Sequence, residues 1–87
     1  MFVVLVYDVD ARRDPRVLKV CRRFLTWVQN SVFEGDVTEG QFRVLWRELG
    51  RVVDVREDSV LAYCFGSTRY SERRLLGVRK GGEDWIL

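Results

Sequence analysis

Phe2-Val-Val-Leu-Val-Tyr7 is the most apolar run of the chain, and Asp8 follows it directly. Because this run has no polar alternation, it predicts a strand that is buried on both faces of a sheet. An unpaired charge is costly to bury, so a carboxylate at the tip of such a strand usually has a cation or hydrogen-bond donors to satisfy it. The candidates are a divalent metal ion or the nearby arginines, which are Arg12, Arg13 and Arg16.

The segment after Asp8 predicts an amphipathic helix with a basic face. Asp14-Pro15 supplies an N-cap followed by proline at the first helical position. Apolar residues then recur at helical spacing from Val17 to Val28. The basic residues fall mostly on the other side, and they are Arg16, Lys19, Arg22 and Arg23.

A strand and a second helix are predicted next. Trp27 to Phe33 is short, β-branched and aromatic, which is typical of a strand, and Glu34-Gly35-Asp36 predicts the turn that ends it. Thr38 and Gln41 match a capping box, which predicts a helix that ends near Gly50 or a few residues later.

The last third of the chain predicts strands. Ser59 to Phe65 is the clearest of them, and Arg74 to Val78 predicts a shorter one. Lys80-Gly81-Gly82 predicts a turn, and the apolar end Trp85-Ile86-Leu87 predicts a terminal strand. Because exposed apolar residues are unfavourable, we expect that end to dock on another surface.

We interpret these elements as the ferredoxin-like pattern of the α+β class, β-α-β-β-α-β with a C-terminal strand, although only one strand is recognised between the two helices. It predicts an antiparallel sheet with two helices on one face and with the first and third strands in the centre. A length of 87 residues predicts a single domain, residues 1–87.

The composition limits the chemistry that the protein can perform. Histidine is absent, which excludes histidine-based acid–base catalysis and histidine-ligated metals. Oxygen ligands remain, and they suit Mg²⁺, Ca²⁺ or Mn²⁺. No run is long enough to cross a membrane, and the N-terminal run is too short for a signal peptide, so we expect a cytoplasmic protein. Cys21 and Cys64 lie among apolar residues and predict buried free thiols, since a disulfide would be unusual in the cytoplasm.

Asp8, Asp10 and Asp14 are too few clustered acids for a complete two-metal nuclease site. A homodimer formed through the open sheet face would bring two copies of Asp8 together. A Mg²⁺ ion between them would polarise a phosphodiester and lower the pKa of water. The alternative is structural, because Asp8 could cap a turn or pair with a nearby arginine, and chemistry alone favours that alternative.

The basic helix predicts a surface that follows a nucleic-acid backbone, because phosphate contacts supply most of the affinity that is independent of base sequence. A solvated helix face is the alternative. The candidate nucleic-acid-binding residues are Arg12, Arg13, Arg16, Lys19 and Arg23.

Three segments together resemble the small CRISPR adaptation proteins, the second of the Cas series. They are Val4-Leu-Val-Tyr7-Asp8-Val-Asp10 with the Arg-rich segment after it, Trp27-Val-Gln29-Asn-Ser31-Val-Phe33-Glu-Gly35, and Asp58-Ser-Val-Leu-Ala-Tyr63-Cys-Phe65. The resemblance extends from residue 2 to about residue 66.

This resemblance implies a ferredoxin-like homodimer with Asp8 as the metal-binding residue at the dimer interface. It also implies a Mg²⁺-dependent endonuclease that acts on RNA or double-stranded DNA. Tyr7, Ser31 and Phe33 fall on motif positions that support the site, and Arg16 matches the basic residues of the first helix.

The same resemblance implies that the dimer bridges two integrase dimers during spacer acquisition. Two other functions are compatible with this fold. One is a non-catalytic DNA-binding scaffold, and the other is a related toxin-type ribonuclease.

Overall fold

A computed structural model describes residues 1–66 and 71–80 of the chain. Its elements, in chain order, are β1 (Phe2–Asp8), α1 (Asp14–Arg22), β2 (Thr26–Gln29), β3 (Val32–Asp36), α2 (Glu39–Val52), β4 (Ser59–Phe65) and β5 (Ser71–Gly77). Neither described helix is long and apolar enough to span a bilayer.

The strands form one antiparallel sheet in the order β2-β3-β1-β4-β5. The predicted ferredoxin-like α+β fold is therefore confirmed, with β1 and β3 in the interior of the sheet and β5 added beside β4. Strand β1 is hydrogen-bonded along both edges, to β3 on one side and to β4 on the other.

One face of the sheet packs against the helices and forms the core. Side chains alternate across a strand, and in β1 the buried positions are Val3, Leu5 and Tyr7. They pack with the buried stripe of α1 and with that of α2, which comprises Phe42, Leu45 and Leu49. The alternate residues of β1 lie on the opposite, open face, so the prediction of a strand buried on both faces is wrong for this chain.

The segment between the helices is a hairpin rather than the single strand predicted for residues 27–33. β2 and β3 are joined at Asn30, whose φ of 46° is the left-handed conformation that asparagine tolerates in tight turns. The indole Nε1 of Trp27 donates to the Asn30 carbonyl oxygen at 2.8 Å and closes the turn. The turn predicted at residues 34–36 is also wrong, because these residues belong to β3 and pair with β1.

Both helix starts are close to the predicted positions. Asp14 is the first residue of α1 rather than its N-cap. The helix ends at Arg22, so Val28, the last residue of the predicted apolar pattern, lies in β2 instead. The capping box of α2 is confirmed, because Thr38 Oγ1 accepts from the Gln41 amide at 3.0 Å and Gln41 Oε1 accepts from the Thr38 amide at 2.8 Å.

Strand β4 has the predicted bounds, and β5 includes most of the predicted 74–78 strand but begins earlier, at Ser71. The predicted turn at residues 80–82 falls partly, and the apolar end at residues 85–87 entirely, outside the described residues. Both cysteines are buried free thiols, as predicted.

Candidate functional site

Asp8 ends β1 on the open face of the sheet. It is in register with Ser59, the first residue of β4, and its side chain is 71% exposed. The alternation along β1 places Asp8 on the same face as Phe2, Val4 and Val6. A carboxylate thus lies at the edge of an apolar surface and is open to solvent.

The cation beside Asp8 is Lys80, which lies just after β5. Its ammonium Nζ is 3.6 Å from Asp8 Oδ2 and donates to the Asp8 main-chain oxygen at 3.4 Å. Arg12 and Arg13, two of the expected partners, pair with other carboxylates. Sequence reasoning missed Lys80 because a separation of 72 residues leaves no local signal for the contact.

A buried carboxylate, that of Asp58, connects the loops that flank this site. Its Oδ2 accepts from Arg13 Nε at 2.6 Å and from the Asp54 amide at 2.8 Å. Its Oδ1 accepts from Arg13 Nη2 at 3.0 Å and from the Asp10 amide at 3.1 Å. We call this arrangement the Asp58 clasp. Asp58 is 1% exposed, so the clasp satisfies a charge that would otherwise be costly to bury.

The Asp58 clasp also shifts the pKa values of the two side chains that form its ion pair, Asp58 and Arg13. The pKa of Asp58 is lowered from 3.8 to about 2, and the hydrogen bonds from Arg13 are the largest cause. Hydrogen bonds from the main chain also lower this pKa, whereas burial raises it. Hydrogen bonds to Asp58 and then to Glu57 raise the pKa of Arg13. The guanidinium of Arg13, a predicted nucleic-acid-binding residue, is therefore committed to carboxylates of its own chain.

Arg12 lies on the solvent side of the same loop. Its Nε is 2.7 Å from Asp10 Oδ1, and its Nη2 donates to Asp10 Oδ2 at 3.1 Å. This fork and the Arg12 amide hold the pKa of Asp10 well below its usual range. Because Arg12 is 76% exposed, a phosphate can still reach its guanidinium.

Three other predicted site residues, Tyr7, Ser31 and Phe33, lie together on the core side of β1. The rings of Tyr7 and Phe33 stack with centroids 6.2 Å apart, and the Tyr7 amide donates to the Ser31 carbonyl oxygen at 3.1 Å. Burial is the main cause that raises the pKa of the Tyr7 phenol to about 12, and a hydrogen bond to Asp14 adds to it. Phe33 is entirely buried, so it supports the strand from within and does not touch bound molecules.

The exposed side of α1 carries positive charge. Among the residues that the structure describes, Arg16 and Lys19 make no hydrogen bond or ion pair, and Arg23 lies over the ring of Phe24 at 5.2 Å. Asp14, the acidic residue of the first turn, interacts with Tyr7 instead. A basic surface therefore extends from the loop after Asp8 along α1.

No three acidic or cysteine side chains converge as a metal-binding group within residues 1–66 and 71–80. A cleft of about 300 Å³ lies elsewhere, between α2 and β5, and Asp8 is not part of its lining. The lining residues are Met1, Glu39, Phe42, Arg43, Cys64, Glu72 and Arg74. Among the described residues, the candidate site is thus centred on a largely exposed carboxylate at the end of a strand, away from this cleft.

Comparisons with known proteins identify the family. The family model described as "CRISPR associated protein Cas2" matches residues 1–73. Proteins named "CRISPR-associated endoribonuclease Cas2" are 46% identical in Dictyoglomus turgidum, over the whole of both chains, and 42% identical in Thermotoga maritima, over 99% of both chains.

Solved structures agree with this result. One titled "Crystal structure of cas2" has a TM-score of 0.74 at 38% identity and covers 100% of this chain and 98% of its own. The structure of Cas2 from Streptococcus pyogenes has a TM-score of 0.69 at 35% identity and covers 76% of this chain and 87% of its own. The chain belongs to the Cas2 family of CRISPR-associated proteins.

Proposed function

We propose that this protein is a homodimeric, divalent-cation-dependent endonuclease that cleaves RNA or double-stranded DNA. Asp8 is the proposed metal-binding residue of its active site. We also propose that the dimer bridges two integrase dimers during spacer acquisition. The observation that carries the proposal is the exposed Asp8 carboxylate at the end of a central strand, beside a basic helix, in a chain whose relatives are named endoribonucleases.

The donor atoms at Asp8 suit a hard cation such as Mg²⁺. A carboxylate and a main-chain oxygen are both available, and the ammonium of Lys80 already contacts both, which supports a site with affinity for positive charge. When bound, the metal ion supplies polarisation of the phosphate and activation of water. Asp8 would hold it, and further ligands would come from the twin chain or from solvent.

The open sheet face supports the homodimer. It exposes Phe2, Val6, Phe65 and Leu75, each about 40% exposed, in a chain short enough to benefit from association. The hydroxyl of Tyr63 on this face is buried and lacks a hydrogen-bond partner among the described residues. A second copy would cover the apolar side chains and bring the two Asp8 carboxylates towards each other.

Other residues of the chain would bind and orient the nucleic acid. Arg16, Lys19 and Arg23 on α1, with Arg12 in the loop before it, would contact phosphates. Tyr7, Ser31 and Phe33 would keep the end of β1 rigid behind Asp8. Arginine next to the site would also stabilise the negative charge that develops on the phosphate during hydrolysis.

Replacing Asp8 tests the nuclease. In Asp8→Asn we expect cleavage of RNA and duplex DNA in Mg²⁺ or Mn²⁺ to disappear while the affinity for nucleic acid persists. Asp36→Asn is the matched control, because Asp36 is an exposed carboxylate (80% exposed) at the other end of the same sheet. Unchanged cleavage in Asp8→Asn would remove Asp8 from the reaction.

Replacing an open-face residue tests the dimer. Val6→Glu puts a charge in the centre of the apolar surface and should convert the dimer to a monomer in analytical ultracentrifugation. Gly50→Glu, at an exposed position of α2 on the other side of the sheet, is the control and should leave the sedimentation coefficient unchanged. If Val6→Glu sediments as the wild type does, the dimer uses another surface.

A non-catalytic DNA-binding scaffold is the second candidate. It is favoured by the absence of a metal-binding acidic cluster among the described residues, and by Arg16 and Lys19 of α1, which have no ion pair within residues 1–66 and 71–80. Spacer integration assays with Asp8→Ala separate the two functions. Integration that persists without cleavage assigns Asp8 to the nuclease alone. If the purified wild-type protein cleaves no substrate with any divalent cation, only the scaffold remains.

A further inference from the structure

We propose that Lys80 belongs to the Asp8 site, where its ammonium competes with a divalent cation for the Asp8 oxygen atoms. The inference rests on the proposed metal site and adds a residue that restrains it. Lys80 Nζ is 3.6 Å from Asp8 Oδ2 and 3.4 Å from the Asp8 main-chain oxygen, so one ammonium spans both oxygen atoms.

The fold places Lys80 at this position. Asp8 is in register with Ser59, and Ser59 is in register with Gly77, so the three residues lie side by side across the sheet. Lys80 follows Gly77 by three residues and crosses back over the end of β4. β5 and β1 are two strand spacings apart, about 10 Å, so the crossing of the main chain after β5 and the long lysine side chain together bridge this separation.

A hydrogen bond and a close approach of the main chain fix the segment that carries Lys80. The Val78 amide donates to the Asp58 carbonyl oxygen at 2.9 Å. Gly77 has a φ of +97°, and a Cβ atom on it would overlap that same carbonyl oxygen. Asp58 thus holds this segment through its main chain and the loop after Asp8 through its side chain, so Lys80 and Asp8 are positioned by one residue.

The chemistry of the contact makes the two cations mutually exclusive. An ammonium on Asp8 satisfies the negative charge and occupies the open side of the oxygen atoms. A divalent cation needs the same oxygen atoms and is repelled by a positive charge this close. Lys80 must therefore swing away when the metal binds, and its presence lowers the affinity of the site.

Titration with Mn²⁺ tests the competition, with free Mn²⁺ followed by electron paramagnetic resonance. Lys80→Gln should bind Mn²⁺ about two- to fivefold more tightly than the wild type, the effect expected from losing one exposed ion pair. Lys80→Arg keeps the charge and should bind as the wild type does. Arg47→Gln removes a charge from an exposed position of α2 and should change the affinity for Mn²⁺ less than twofold, which controls for net charge.

The possible results separate this inference from the proposed function. If Lys80→Gln binds Mn²⁺ no more tightly than the wild type, or if Arg47→Gln gives the same gain, the competition is refuted and the metal site stands. If Asp8→Asn binds Mn²⁺ as well as the wild type does, the metal site itself is elsewhere, and the inference fails with it. Melting temperatures measured in parallel confirm that every variant is folded.

Discussion

The Asp58 clasp gives the sharpest test of how the site is built, and Asp58→Asn is the perturbation. The side chain is 1% exposed and accepts four hydrogen bonds, from Arg13, Asp10 and Asp54. The amide that replaces it keeps one acceptor and loses the charge that Arg13 pairs with. Thermal denaturation at fixed protein concentration measures the effect, since association would otherwise change the midpoint.

The expected loss of stability can be derived from two contributions. The fall of the Asp58 pKa from 3.8 to about 2 corresponds to about 2 kcal/mol of preference for the ionised form. A main-chain amide left without its acceptor adds about 1 kcal/mol or more. A total of about 3 kcal/mol lowers the melting temperature of a domain of this size by roughly 12–24 °C.

Dependence on pH provides an independent check. Because the folded-state pKa of Asp58 is lowered, its stabilising contribution is complete above about pH 4 and is lost as the pH falls towards 2. The melting temperatures of the wild type and Asp58→Asn should therefore converge between pH 4 and pH 2. Asp36→Asn, at an exposed carboxylate, is the control and should cost less than about 1 kcal/mol at neutral pH. A melting temperature of Asp58→Asn within 2 °C of the wild type would refute the clasp.

Three further predictions concern single positions. Gly77→Ala should destabilise the protein by about 1–3 kcal/mol, because its φ is positive and its Cβ would overlap the Asp58 carbonyl oxygen. Gly50→Ala is the comparison, because Gly50 lies in α2 and a Cβ atom there would meet open space, so this change should be neutral or stabilising by up to about 1 kcal/mol. Equal effects of the two glycine substitutions in thermal denaturation would contradict the backbone argument for Gly77. Thr38→Ala removes a capping hydrogen bond and should cost about 1 kcal/mol in urea denaturation, whereas an unchanged midpoint would mean that the cap is dispensable. The Tyr7 phenol should ionise near pH 12 rather than near pH 10, and the difference between the ultraviolet pH titrations of the wild type and Tyr7→Phe measures this. Because the folded-state pKa is raised, the stability that the buried phenol contributes should persist below pH 10 and be lost as the pH rises through 12.

The fold could be predicted from sequence because its signals are local. The apolar run of β1, the capping box of α2 and the β4 pattern each depend on neighbouring residues, and all three are confirmed. The hairpin at Asn30 was missed because β2 and β3 together look like one β-branched run, and the turn inside it has no glycine. Its left-handed φ depends on an asparagine that the pattern alone did not single out.

The site was predictable only in part. Asp8 stood out because a carboxylate follows an apolar strand, and the structure places it exposed at the strand end. Arg13 looked like a free cation of the basic segment, yet it is held by Asp58, which is 45 residues away. A charge pattern gives the number of cations but not which of them a buried carboxylate neutralises.

The sequence by itself determined the class of fold, the family and the exclusion of histidine chemistry, because these follow from residue types and short spacings. Only the tertiary structure decided which charges are paired and which remain available. Asp8, Ser59 and Gly77 become neighbours through strand register, and Lys80 reaches Asp8 across 72 residues for that reason. Contacts of this kind are set by how the strands pair, so no local pattern in the chain encodes them.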